Sequence, residues 1–142
     1  MKVNIKKMKH NAVIPSYQSK GASGFDLHST EDLCVMPGDV VLVPTGLAFG
    51  LETGYELQVR PRSGIALKTF LRVANAPGTV DSDYTGEVKV IMHNTGNSPS
   101  FIRVGDRIAQ GVICPVLQVT FNEVEELGTT ERGNKGFGSS GV

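Results

Sequence analysis

Between Asn75 and Glu87 the chain reads Asn75-Ala76-Pro77-Gly78-Thr79-Val80-Asp81-Ser82-Asp83-Tyr84-Thr85-Gly86-Glu87, a stretch dense in groups that could read and attack a small molecule. Asn75 offers an amide donor and an acceptor. Pro77-Gly78 forces a bend that exposes main-chain groups and allows close approach. The Asp81 carboxylate could activate a water, and Tyr84 presents a flat, rigid face able to pack on a ring. The spacing predicts two short strands folded back through an Asp83-Tyr84-Thr85-Gly86 turn, followed by an alternating strand from Glu87 to Met92. The same residue types also make an ordinary surface hairpin, because Asp, Gly and Asn are common turn formers.

Four further clusters could complete a site. Arg60-Pro61-Arg62-Ser63-Gly64 stands where a strand stops and a short helical run begins, so main-chain N–H groups beside Arg62 and Ser63 could receive an anion. Equally, Ser63 could be only an N-cap and Arg62 a solvated charge. Asp26, in Ala22-Ser23-Gly24-Phe25-Asp26-Leu27, could hold a metal-bound water or orient an arginine, and the arginine partner is the simpler assignment. Gln110 is a lone amide in an otherwise apolar run, a setting in which amides bind backbone. Lys89 shares a strand face with Glu87 and could reach whatever the hairpin holds, or stand in solvent.

The elements that must position these groups are strands. Val40–Val43 runs to Pro44, Leu47–Phe49 to Gly50, and Tyr55–Arg60 to Pro61; Phe101–Val104, Arg107–Cys114 and Val116–Phe121 continue the series. Only Ser63–Lys68 has helical spacing. One all-β domain of closed or two-sheet architecture fits best, and 142 residues are enough for a single core. From residue 128 to 142 the chain is glycine-rich and too poor in apolar residues to pack itself, so a core over 1–127 and a flexible arm over 128–142 are expected. The arm holds Arg132, Lys135, Phe137, Gly138, Ser139 and Ser140, parts that could close over phosphate and base, or simply fray.

Fourteen Lys and Arg balance fourteen Asp and Glu, so no overall field draws the protein to nucleic acid or an anionic membrane. Lys-rich residues 1–9 are not followed by the apolar run of a signal peptide, and no segment is long enough to span a bilayer. Cys34 and Cys114 are the only cysteines and lack metal-ligand spacing, as do His10, His28 and His93. A cytoplasmic setting is the expectation.

Taken in order, Ala22–Leu27, Arg60–Gly64, Asn75–Glu87, Arg107–Gln110 and Arg132–Gly141 resemble the five ordered motifs of the trimeric deoxyuridine triphosphatases, the dUTPases. Each motif alone is weak, whereas five in order across nearly the whole chain are specific. The resemblance implies a jelly-roll-like, distorted β-barrel domain in a homotrimer, with active sites shared between subunits and the arm closing over a neighbouring site. It implies dUTP as substrate, dUMP and pyrophosphate as products, and Mg²⁺ as cofactor, a reaction that limits uracil entry into DNA and supplies dUMP for dTMP synthesis. Asp81 then resembles the base that deprotonates the attacking water. Asn75 with Gly78, Thr79 and Val80 resembles the uracil reader, and Tyr84 the platform that refuses a 2′-hydroxyl.

In the same way Arg62, Ser63, Gly64 and Gln110 resemble the phosphate cradle, with Lys89 in reach. Arg132 and Ser139 resemble arm ligands of the terminal phosphate, Gly138 a further substrate-binding residue, and Phe137 the lid over the base. Mg²⁺ is expected on triphosphate oxygens and water with no direct protein ligand, Asp26 lying at most in its outer shell. The sequence departs from the family's commoner pattern at Ser23, Lys135, Ser140 and Gly111, the last leaving a strand without a bulkier apolar residue. Other functions differ in readable ways: a deaminase of dCTP on the same fold would need a base-activating glutamate near the ring. A nucleotide sensor would not need Asp81, Tyr84 and Phe137 together, and a purely structural trimer would need none of them.

Overall fold

Apolar side chains alternate with polar ones along Phe25–His28, Tyr55–Arg60 and Val88–Asn94, and each run forms a strand that buries its apolar set. The computed structural model describes residues 1–138 and 141. Its elements in chain order are β1 (Asn4–Lys7), β2 (Phe25–His28), β3 (Leu33–Val35), β4 (Val40–Gly50), β5 (Tyr55–Arg60), α1 (Ser63–Lys68), β6 (Leu71–Val73), β7 (Gly78–Val80), β8 (Val88–Asn94), β9 (Ser100–Ile102) and β10 (Arg107–Pro115). One sheet has the order β1-β4-β8-β6, a second β2-β10-β5-β7, and β3 and β9 form a small third. All pairings are antiparallel. From β5 onward the chain passes repeatedly between the two larger sheets, which makes the fold all-β and jelly-roll-like.

The core lies between these sheets. Leu27, Leu47, Leu57, Val90, Met92 and Ile108 are essentially inaccessible, and each contributes about 1.5–3 kcal/mol through burial. Phe25 stacks on Phe49 at 6.0 Å between ring centres. The absence of a side chain at Gly111 is what admits Phe25: a Cβ there would sit 2.5 Å from its ring. The departure at Gly111 therefore marks a packing solution and not a weak strand.

Three expectations are corrected. The runs Val40–Val43 and Leu47–Phe49 belong to one strand, β4, which continues past Pro44 through an irregularity in its pairing with β8 between Pro44 and Leu47. Proline has no N–H for the ladder, and a bulge accommodates it. Val116–Phe121 is not a strand: β10 ends at Pro115, and Leu117 and Phe121 are 88% and 92% exposed. Among the described residues, only Val116 of this run makes a backbone bond, its N–H donating to the Gly54 carbonyl at 2.8 Å. Finally, Asn75–Glu87 is not a paired hairpin. β7 bonds to β5 in one sheet while β8 bonds to β4 and β6 in the other, so the stretch is a corner between sheets.

Candidate active site

That corner creates a cleft. Leaving β6, the chain crosses to the second sheet to form β7, then returns to the first as β8, so the sheets part at this end. The opening has a volume of about 560 Å³ and is walled by Asn75, Gly78, Thr79, Val80, Asp81 and Tyr84, with Lys89, Glu87, Val88, Leu42, Val59 and Ile91 completing it. Seven of the residues singled out in the sequence thus meet around one space. Gly78 is buried, and the Asn75 amide nitrogen lies 3.0 Å from where a Cβ would stand, so a side chain at position 78 would displace the amide.

Asp81 follows the last residue of β7 and is exposed; among the described residues its carboxylate makes no ion pair. The turn lies earlier than the sequence suggested: the Tyr84 N–H donates to the Asp81 carbonyl at 3.2 Å, closing Asp81–Tyr84 and not Asp83–Gly86. Tyr84 folds back over Gly86, its hydroxyl donating to the Glu87 carbonyl at 3.0 Å, with its ring half exposed to the cleft. Lys89 Nζ stands 3.7 Å from Glu87 Oε2. Glu87, Leu42 and Ile91 were not singled out for the site. Strand alternation places the last two on β4 and β8, but which strand they face is set by the sheet order.

The phosphate-cradle candidates form a second opening, of about 580 Å³, lined by Arg62, Ser63 and Gln110 together with Arg60, Gln58 and Pro77. Gly64 is exposed beside it at the start of α1. Arg62 occupies the N-cap position of α1 and no side chain caps the helix, so Ser63 is its first residue and not its cap. The Arg62 Nε donates to Asp26 Oδ1 at 2.7 Å, and Arg107 lies 3.5 Å from Oδ2. Two guanidinium groups share one carboxylate and leave one positive charge in excess beside the opening. Gln110 donates to the Pro61 carbonyl at 2.8 Å, the backbone role expected of a lone amide. A Cβ on Gly24 would stand 2.5 Å from its Oε1, so a side chain there would push the Gln110 amide aside. Ala76 and Pro77 line this opening while Asn75 and Gly78 line the other, so the two spaces flank one ribbon. Arg60 and Gln58 were missed as lining residues, although their alternation along β5 puts them on the face of Gln110, the register partner of Arg60.

Burial pushes the His28 imidazole below its ordinary value of 6.5; Asp26 opposes this, and Arg107 and Arg62 add to it. Its Nδ1 is buried without a partner. Among the described residues, no three His, Cys, Asp or Glu side chains stand close enough to cage a metal, and both Asp26 oxygens face arginine. Such a donor set suits a cation that arrives on a phosphate chain better than one held by the protein. Among the described residues, the Arg132 side chain bonds only within its own turn, Nε donating to the Lys135 carbonyl at 2.8 Å, and Phe137 and Gly138 are exposed and line neither opening. Ser139 lies outside the described residues.

Compared with known proteins, residues 10–141 match the dUTPase family model. The chain belongs to the dUTPase family. It is 56% identical over 141 residues to the deoxyuridine 5′-triphosphate nucleotidohydrolase of Nautilia profundicola, covering 99% of both chains. To the enzyme of the same name from Helicobacter pylori (strain P12) it is 52% identical, covering 100% of this chain and 98% of the other. Among solved structures, a mutant dUTPase of phage 80alpha superposes with a TM-score of 0.92 at 28% identity, covering 98% of each. Another mutant of the phage 80alpha dUTPase, in complex with dUpNHpp, superposes at 0.90 and 27% identity over 99% of each. A mutant dUTPase of phage phi11, whose structure reveals the coordination of a structural Mg(II) ion, shares the fold with a TM-score of 0.85 at 22% identity, covering 91% of this chain and 100% of that one. Among the described residues of this dUTPase, no helix is long and apolar enough to cross a membrane.

Proposed function

We propose that the protein hydrolyses dUTP to dUMP and pyrophosphate, with the corner between β6 and β8 reading the nucleoside and Asp81 directing the water. The observation that carries this reading is the meeting of Asn75, Gly78, Thr79, Val80, Asp81 and Tyr84 around one opening, in a chain of the dUTPase family. Asn75 and the main chain of Gly78–Val80 hydrogen-bond the uracil edge; cytosine would set a donor against a donor, and an unmatched buried polar group rejects it. Tyr84 fills the space of a 2′-hydroxyl. The Asp81 carboxylate takes a proton from water as the water oxygen attacks the α-phosphorus; the bond from that phosphorus to the α,β-bridging oxygen breaks, and pyrophosphate leaves.

Arg62, Ser63, Gly64, Gln110 and Lys89 receive the phosphates, supported by the excess positive charge around Asp26. When bound on the triphosphate oxygens and water, Mg²⁺ would offset charge developing on the phosphates. Arg132, Gly138 and Ser139 are assigned to the phosphates and Phe137 to the base, from an arm beginning near residue 128 and supplied by a neighbouring subunit. Two features support a homotrimer with shared sites: the described arm residues line neither opening of their own chain, and Leu117, Val119, Phe121 and Leu127 are exposed apolar side chains.

The test is to offer dUTP, dCTP, dTTP and UTP with Mg²⁺ and to follow pyrophosphate and ammonia separately. Pyrophosphate from dUTP alone is expected. Ammonia from dCTP would instead make the site a deaminase, and binding without either product would make it a sensor.

A further inference from the structure

Glu87 does not belong to the groups assigned to base, sugar or phosphate, yet among the described residues its carboxylate links the Asp81–Glu87 loop to β4, the strand paired with β8. Oε1 accepts from the Gly46 N–H at 2.8 Å, and the carboxylate is 17% exposed. Gly46 is a fixed post. It lies in the β4 irregularity with φ +67, where a Cβ would meet Ala12 at 2.8 Å and Thr30 at 3.0 Å. Its carbonyl accepts from the Met8 N–H at 2.7 Å, and the adjoining Thr45 hydroxyl donates to the Val88 carbonyl at 2.6 Å. On the other side the loop is closed on itself, through the Tyr84 hydroxyl to the Glu87 carbonyl and the Tyr84 N–H to the Asp81 carbonyl. Asp81, Tyr84, Glu87 and Gly46 therefore form one continuous chain of bonds from the Asp81 main-chain carbonyl to the β4 bulge.

We infer that Glu87 is a positioning residue for sugar discrimination: by tethering its loop to Gly46 it holds the Tyr84 ring at the depth that excludes a 2′-hydroxyl. Removing the carboxylate strands the buried Gly46 N–H and leaves the loop with its internal Tyr84 bonds but without this link to β4. The inference rests on the proposed role of Tyr84 as the sugar platform.

The experiment compares kcat/KM for dUTP and UTP in Glu87→Ala, Glu87→Gln and Glu87→Asp, with amide exchange at Gly46 followed in each. Glutamine retains the reach and the accepting oxygen without the charge, whereas aspartate retains the charge and is too short. Expected are a loss of dUTP-over-UTP selectivity of about tenfold in Ala and Asp, faster Gly46 exchange in both, and near-parental behaviour in Gln. Selectivity and exchange unchanged in Ala and Asp, or Gln impaired while Asp is not, would overturn the tether; if Ala fails to fold, the Gln and Asp pair still decides. Tyr84→Ala in parallel separates the premise: unchanged selectivity there removes the platform role, while Gly46 exchange still reports on the tether.

Discussion

Asp26 on β2 and Arg62 at the start of α1 are joined by a 2.7 Å bond from Nε to Oδ1, although Arg62 follows β5 and β10 lies between β5 and β2 in the second sheet. The bond aims the guanidinium along the edge of the phosphate-side opening, and Arg107 approaches the other carboxylate oxygen. Asp26→Asn keeps an oxygen for Nε but discards the charge that restrains both arginines. A rise in KM for dUTP of about tenfold with a smaller change in kcat is expected, along with a loss of roughly 1–2 kcal/mol in urea unfolding. Kinetics in which kcat falls and KM does not would place Asp26 in the chemistry and not in the positioning of Arg62.

Asp81 stands at the rim of the other opening with no ion pair among the described residues, so its carboxylate is available to a water. Asp81→Asn conserves shape and removes the proton acceptor. Turnover is expected to fall by roughly 10²–10⁴-fold, with binding of dUpNHpp retained within a few-fold. Equilibrium binding and single-turnover pyrophosphate release measure the two separately, and a variant that turns over near normally would take Asp81 out of the reaction.

How much of this was legible beforehand follows from what a period can encode. Alternation together with a proline stop located Tyr55–Arg60 to the residue, and helical spacing located Ser63–Lys68. The three-residue strands Leu33–Val35 and Leu71–Val73 are too short to show a period. A period of two assigns faces but not partners, so β7 and β8 read as one hairpin although they belong to different sheets. The same limit applies to the site. Asn75, Gly78, Asp81 and Tyr84 are close in sequence and were found together. The division of the candidate residues between two openings, and the presence of Glu87, Arg60 and Gln58 on their walls, depend on sheet order.

Val116–Phe121 carries a strand's alternation without finding an edge in this chain, and residues from 116 to 135 are exposed. Among the described residues, none beyond 131 belongs to the buried core. Removing residues 132–142 should therefore leave the melting temperature within about 2 °C and lower dUTP turnover by at least about tenfold. Sedimentation before and after truncation distinguishes the alternative: if the parent sediments as the proposed trimer and the truncated chain does not, the arm end holds subunits together.

At Gly111 the limiting quantity is space. A methyl group there would meet the Phe25 ring at 2.5–2.7 Å and Leu57 Cδ1 at 2.9 Å, and neither can retreat without opening the core. Gly111→Ala should cost about 1–3 kcal/mol by overpacking, despite the better strand propensity of alanine. Adding Phe25→Leu should restore part of the loss. A Gly111→Ala protein as stable as the parent would mean that β2 can shift away from β10, contrary to the tight pairing at this position.

Stability should also depend on pH through His28. Burial disfavours its protonated form, the neighbouring Arg107 and Arg62 act in the same direction, and Asp26 only partly offsets them, so the native pKa lies below 6.5. In the unfolded chain the imidazole regains its ordinary value. Between the two pKa values the unfolded state binds more protons than the native state, so unfolding becomes easier as pH falls. Above about 6.5 both states are neutral and this group contributes no slope; below the native value both are charged and the loss is complete. Urea midpoints measured from pH 8 to pH 5 should therefore fall further for the parent than for His28→Gln, the difference opening just below pH 6.5. The carboxylates that also titrate toward the acid end are common to both proteins and cancel in the comparison. A difference that stays flat across this range would mean that His28 takes up its proton in the folded state as readily as in the unfolded one.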